Sequence, residues 1–201
     1  MKMRCLAPLP FVAAALLTPL SLAQAPVFEV TPVSSSVTFN VKSSVSITGK
    51  FDKWNSTLKF TSPDVNTGVL DIKIEAASVD TGSGMKNGKL KSKDFFDVAN
   101  NPYITFHSTK IVQTAPAVAG QPVNFEVDGD FTIRGTTKQE KLTLIVSGAG
   151  TGSGEIKGTM AFNRKDYGIN GSIPFIKIAD SVAVTVDLKA KRVSGPPVQL
   201  K

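Results

Sequence analysis

The sequence predicts an all-β fold, an antiparallel β-barrel of about eight strands with a short helical insertion. Three observations lead there. Apolar and polar residues alternate with period two over nearly the whole chain beyond its amino-terminal leader. Turn signals rich in glycine punctuate the runs, and no linker or internal repeat divides them. A long sheet that is oily on one face and wet on the other removes its exposed edges by closing on itself.

The leader comes first. Lys2 and Arg4 precede the apolar, small-residue-rich stretch Leu6 to Leu22, which Pro8, Pro10 and Pro19 interrupt, and Ser21-Leu22-Ala23 offers a cleavage site. This is the pattern of a secretory signal peptide and not of a membrane span. Cleavage after Ala23 divides the chain into a signal, residues 1–23, and one domain, residues 24–201, destined for the periplasm. Cys5, the one cysteine, leaves with the signal, so the exported chain is expected to carry neither disulfide nor lipid anchor. Of 23 basic and 16 acidic side chains, Lys2 and Arg4 are lost, and the net charge falls from +7 to +5. Export argues against nucleic acid as a partner. An anionic membrane surface or an anionic lipid headgroup suits a mildly basic exported protein better.

The strands follow in order. Val37, Phe39 and Val41 alternate with Thr38, Asn40 and Lys42; Leu70, Ile72 and Ile74 alternate with Asp71, Lys73 and Glu75. Phe125, Val127, Gly129, Phe131 and Ile133 form the next long run, then Ile156, Gly158, Met160 and Phe162, and finally Val182, Val184, Val186 and Leu188. Thr67-Gly68, Gly120-Gln121-Pro122, Arg134-Gly135, Gly148 to Gly154 and Asn170-Gly171 separate them as turns. The glycine run lacks the G-x-G-x-x-G spacing of a phosphate cradle and leads into a strand, so it is expected to be a hairpin loop.

Residues 80 to 100 break the pattern. Met85 to Leu90 and Ser92 to Val98 do not alternate, Ser92 is placed to cap a helix with Asp94 in its first turn, and Pro102 closes the segment. On such a helix Phe95, Val98 and Ala99 share a face and Phe96 points elsewhere. The aromatics either plug one barrel end or line the mouth of a cavity.

The residues of an enzyme are sparse. His107, the single histidine, falls out of phase with Ile104 and Phe106 and is expected on the surface, and one histidine without a cysteine makes no zinc site. Asp94 with Asp97, and Asp128 with Asp130, read as solvated pairs and not as acid/base partners. No catalysis and no cofactor are expected. Arg164, Asp166 and Tyr167 form a polar-aromatic group with two readings: an Arg-Asp pair capped by tyrosine, or a ligand contact. Lys86, Lys89, Lys91 and Lys93 make either a solvated face or a basic patch for a membrane or phosphate headgroup.

Four stretches resemble the YceI family of exported polyisoprenoid-binding, lipocalin-like proteins. They are Ala77-Ser-Val-Asp-Thr-Gly82; Leu90-Lys-Ser-Lys-Asp-Phe-Phe-Asp-Val98 with Pro102-Tyr-Ile-Thr-Phe106; Gly129-Asp-Phe-Thr-Ile-Arg-Gly-Thr-Thr137; and Asn163-Arg-Lys-Asp-Tyr-Gly-Ile169. In the family's order, they cover residues 27 to 192. Two departures stand out: Ser43 where the family commonly has a histidine, and Met85-Lys-Asn-Gly88 where it often has an Arg-Asp pair. The resemblance implies a lipocalin-like barrel whose elongated cavity holds a polyisoprenoid, an isoprenoid quinone or a fatty-chain lipid, for sequestration or transport in the periplasm. By phase, Phe39, Phe60, Ile72, Ile74, Phe106, Phe131, Ile133, Phe162 and Val184 are expected walls, with Phe95 and Phe96 as lid and wall and Tyr167 as a further contact. The alternative is a barrel with a filled core that serves as a stress-response or partner-docking module.

Overall fold

The computed structural model describes residues 24–31, 35–44, 47–173 and 175–201; the expected signal, residues 1–23, lies outside the described residues. Among the described residues eleven strand segments occur: β1 Val27–Val30, β2 Ser36–Ser43, β3 Ile47–Phe51, β4 Trp54–Lys59, β5 Val69–Glu75, β6 Val79–Asp80, β7 Tyr103–Gln113, β8 Val123–Ile133, β9 Thr136–Ser147, β10 Ser153–Asn163 and β11 Ile178–Ser194. An α-helix, α1, spans Gly84–Lys91.

These segments make eight strands, because the first six pair up into three interrupted ones. β2 lies against the first half of β11 and β1 against its end. β3 pairs with β2 and β6, while β4 pairs with β1 and β5. Across the break at Asp52 and Lys53 the ladder persists through Asp52 N–H to Ser78 O and Glu75 N–H to Lys53 O. Each strand then pairs with the next in the chain, and β11 returns to β1 and β2, which closes an antiparallel eight-stranded barrel.

The predicted alternation is observed. Val37, Phe39, Val41, Leu70, Ile72, Ile74, Phe125, Val127, Phe131 and Ile133 are buried inside, whereas Thr38, Lys73, Glu126 and their neighbours lie on the wetter outer face. Apolar inside and polar outside is the reverse of a barrel that spans a bilayer. In β7 a bulge between Ser108 and Lys110 resets the phase, so that Ser108 and Ile111 both point inward. Ser108 Oγ accepts the Leu70 N–H at 2.8 Å there. The β8–β9 turn has two residues, Arg134 and Gly135, both at positive φ (53° and 71°), the geometry that matches strand twist in tight hairpins. Gly148 to Gly154 joins β9 to β10 as expected.

The helical insertion differs from its expectation. The helix runs before Ser92 and not after it: Ser92 is the C-cap, and its hydroxyl donates to Lys89 O at 2.7 Å. Beyond it the chain folds through consecutive turns, with Phe95 N–H to Ser92 O, Phe96 N–H to Leu90 O and Val98 N–H to Lys91 O, and with Asp97 at φ 49°. Consecutive residues on a helix point about 100° apart; these turns bring both adjacent rings onto one barrel mouth. Phe95 and Phe96 are 4% and 9% exposed, while Ala99, expected on the buried face, is exposed.

Candidate functional site

The barrel interior divides into two apolar chambers in line, one at each end. The near chamber, of about 80 Å³, lies beneath the helical insertion; the far chamber, of about 100 Å³, lies beneath the glycine-rich loop and the carboxy-terminal residues Pro197, Val198 and Leu200. Strand by strand the order is the same. On β5 Ile74 faces the near chamber and Leu70 the far one; on β8 it is Phe131 and Phe125, on β10 Phe162 and Ile156, on β11 Val182 and Ala190. Between them Ile72, Phe106, Val127, Leu142, Met160, Val186 and Leu188 line neither chamber, and all are buried. They form a packed waist.

Two glycines shape that waist. A Cβ on Gly129 would lie 2.5 Å from Phe106 Cζ, so the ring occupies the space a side chain would need. At Gly158 a Cβ would press on Val186 and approach Leu144 Cδ2 at 2.9 Å. Removing two side chains lets their neighbours meet across the barrel.

The expected wall residues sort accordingly. Phe39, Ile74, Phe131, Ile133, Phe162 and Val184 line the near chamber together with Phe95 and Phe96. Phe96 packs on Phe51 with ring centroids 6.0 Å apart, and Phe51 on Phe39 at 5.6 Å. Phe95 lies against Gly171, where a Cβ would meet its ring. Phe60 lines the far chamber and packs on Phe28 at 5.7 Å. Ile72 and Phe106 are not walls but members of the waist: phase puts them inside without saying at which level.

Tyr167 is likewise not a chamber wall. It is fully buried, edge-on to Phe131 at 5.5 Å and to Phe162 at 5.3 Å. The ladder between β9 and β10 ends at Thr143 and Thr159, and beyond that point the Tyr167 hydroxyl donates to Glu140 Oε1 of β9 at 2.6 Å. The ring therefore spans a split in the barrel wall. Burial first, and the hydrogen bond to the Glu140 carboxylate second, push the phenol well above its usual range.

Polar groups at the near mouth have defined tasks. Arg164 is buried and donates to the carbonyls of Ile169 (2.7 Å), Gly171 (3.2 Å) and Ala179 (3.1 Å), with Asp180 Oδ1 3.3 Å away. Its carboxylate partner is thus Asp180 and not Asp166, because the 3-10 turn Arg164–Tyr167 leaves Asp166 exposed. The hydrogen bond from Lys165 holds the Asp180 carboxyl below its usual range. Arg134, which sequence reasoning passed over, donates to Gly168 O and to Lys93 O, tying the insertion to the loop after β10. The half-buried Lys86 reaches the chamber lining from α1 and has no ion-pair partner among the described residues. His107 lies on the outer face, its Nδ1 2.6 Å from Asp71 Oδ1.

The arrangement suits an apolar chain inside and an anionic group at the rim. Comparison with known proteins gives it a family. The family model described as the YceI-like domain matches residues 28–190. The chain belongs to the YceI-like family. Among YceI-like relatives, the UPF0312 protein of Pseudomonas fluorescens is 30% identical over 139 residues, which is 67% of this chain and 69% of that protein. The crystal structure of BcnA from Burkholderia cenocepacia superposes with a TM-score of 0.68 at 26% identity, covering 80% of this chain and 99% of BcnA. A polyisoprenoid binding domain from Saccharophagus degradans superposes with a TM-score of 0.64 at 16% identity, covering 83% of this chain and 99% of that domain, a likeness of fold.

The signal for most of the near chamber was present in the sequence as phase. For the far chamber it was weaker. Phe125 lies in an alternating run, but Val198 and Leu200 come from a tail with no periodicity, held by Gln199 N–H to Pro63 O and by Gln113 to Lys201.

Proposed function

We propose that this YceI-like protein binds an amphiphilic lipid, its polyisoprenoid or comparable long apolar chain in the barrel and its polar end at the near mouth. The single observation that carries the reading is the near chamber itself: an apolar cavity roofed by Phe95 and Phe96, with Lys86 and Arg164 as the charged groups in its lining. Each methylene moved from water into such a cavity contributes about 0.8 kcal/mol, so a chain needs few polar contacts to bind. The Saccharophagus degradans relative, a polyisoprenoid binding domain, supports the same class of ligand. The amino-terminal leader supports export, and we place the carrier in the periplasm, where it sequesters or ferries its cargo without chemistry of its own.

The packed waist favours a second reading, a filled barrel that acts as a docking module, since a long chain passes from one chamber to the other only if residues such as Phe106 and Met160 give way. Mass spectrometry of an organic extract of protein purified from its native host separates the two. Stoichiometric lipid supports the carrier; a lipid-free extract from protein that also fails to take up a fluorescent polyprenyl analogue sinks it. Delipidated Phe96→Ala should release that analogue faster than wild type.

A further inference from the structure

We infer that the near rim of the barrel is a docking surface for an anionic phospholipid bilayer, with Phe175 and Met85 as the side chains that enter it. This deepens the lipid-carrier reading and rests on it for its purpose. Docking itself is measured without cargo, so the two stand or fall separately.

Phe175 is fully exposed, at 105% of the reference area, and Met85 is 88% exposed, the two most exposed large hydrophobic side chains among the described residues. Both sit on segments that border the near chamber. Met85 precedes Lys86 and Phe175 follows Ile173 by two residues, and Lys86 and Ile173 line the cavity. The Phe175 segment is anchored on both sides: Gly171 N–H donates to Asp94 O at 3.0 Å, and Ser44 and Lys177 exchange hydrogen bonds. Between the anchors Ile176 N–H closes on Ile173 O at 3.1 Å, which leaves Phe175 in the tight turn at φ 64°. A phenylalanine with positive φ and a fully wetted ring bears two costs with no return inside the molecule. A partner that takes up the ring supplies the return.

Charge selects the partner. Lys42, Lys86, Lys91, Lys93 and Lys177 belong to the same rim, and the ion pairs among the described residues include none of them. The carboxylates at this end are mostly engaged: Asp80 with the Gly82 N–H and Asn87, and within reach of the Lys91 charge, Asp94 with Lys89, Asp180 with Arg164 and Lys165, and Asp97 with Asn100 and Asn101, leaving Asp166. Two apolar side chains set among unpaired lysines match a surface that is anionic at the headgroups and apolar below them. Docked this way, the mouth of the near chamber faces the bilayer, and a chain can pass between them without crossing water.

The test is co-sedimentation of delipidated mature protein with vesicles of phosphatidylethanolamine and phosphatidylglycerol, beside vesicles of phosphatidylcholine alone. Wild type should bind the anionic vesicles, lose that binding in high salt, and ignore the neutral ones. Phe175→Ser with Met85→Ser should weaken binding at least about tenfold while leaving the melting temperature unchanged, because neither side chain packs on the protein. Lys93→Ala with Lys177→Ala should weaken binding and flatten its salt dependence. Val118→Ser, an exposed apolar residue in the β7–β8 loop at the far end, should change nothing. Equal binding by wild type and the Phe175 and Met85 variant, or an equal loss in Val118→Ser, overturns the proposal. So does a wild type that ignores both vesicles but self-associates in sedimentation velocity through Phe175, which would make the tip a contact between copies.

Discussion

Adding one methyl group at the waist tests whether the two chambers are separate. In Gly158→Ala the new Cβ would collide with Val186 Cγ2, its cross-strand partner, and would lie 2.9 Å from Leu144 Cδ2 and 3.2 Å from Leu142 Cδ1. Gly158 does not have the positive φ that would add backbone strain, so crowding decides the outcome. Overpacking of this kind costs about 1–3 kcal/mol. The lower chain entropy of alanine in the unfolded state returns about 0.4–1 kcal/mol. The expected net loss is about 1–2 kcal/mol, which lowers the melting temperature of a domain this size by about 2–8 °C. Urea denaturation and thermal melting of delipidated protein measure it. The variant should also restrict long-chain ligands more than short ones, since Val186 and Leu144 have less room to part. An unchanged or raised melting temperature would refute the packed waist and show that the interior is one continuous channel.

Three further outcomes are expected. Ile133→Asp puts an unpaired carboxylate at a position only 2% exposed and should lose both ligand retention and several kcal/mol of stability, whereas Thr132→Asp on the outer face, where its hydroxyl meets that of Thr137, should change neither by more than about 1 kcal/mol; equal damage from both would contradict the inside-out assignment. The raised Tyr167 phenol favours the protonated form in the folded state, so its contribution is fully present below its ordinary value of 10.0 and declines as pH rises beyond it; stability followed above pH 10 should fall less steeply in Tyr167→Phe, which loses about 1.5–3 kcal/mol at neutral pH with the bond to Glu140. Amino-terminal sequencing of exported protein should begin at Gln24, and finding Met1 there would exclude cleavage of the leader.

The adjacent phenylalanines show where local reasoning stops. A capping residue before an acidic turn is a legitimate helix start, and Ser92 with Asp94 satisfies the pattern. The same serine works as well at a helix end, where its hydroxyl meets the Lys89 carbonyl, and only the demand of the barrel mouth for two neighbouring rings selects that use. Arg164 makes the same point. Its nearest acid in sequence is Asp166, yet the turn that carries both residues sends them to opposite environments, and a carboxylate sixteen residues on becomes the partner.

What the sequence determined by itself is which residues of each regularly alternating strand face the barrel interior, because a strand's side chains alternate between faces and water sorts apolar from polar ones whatever the strand's neighbours are. Phe39, Ile74, Phe131, Ile133 and Phe162 were legible on that ground alone. The level each residue occupies along the barrel, and hence whether it lines a chamber or fills the waist, depends on the registers between strands far apart in the chain and on the bulge at Ser108 and Lys110. Ile72 and Phe106 share the phase of true wall residues and differ only in height. The tertiary structure decided that, since height comes from pairing, which is a relation between strands that no single strand carries.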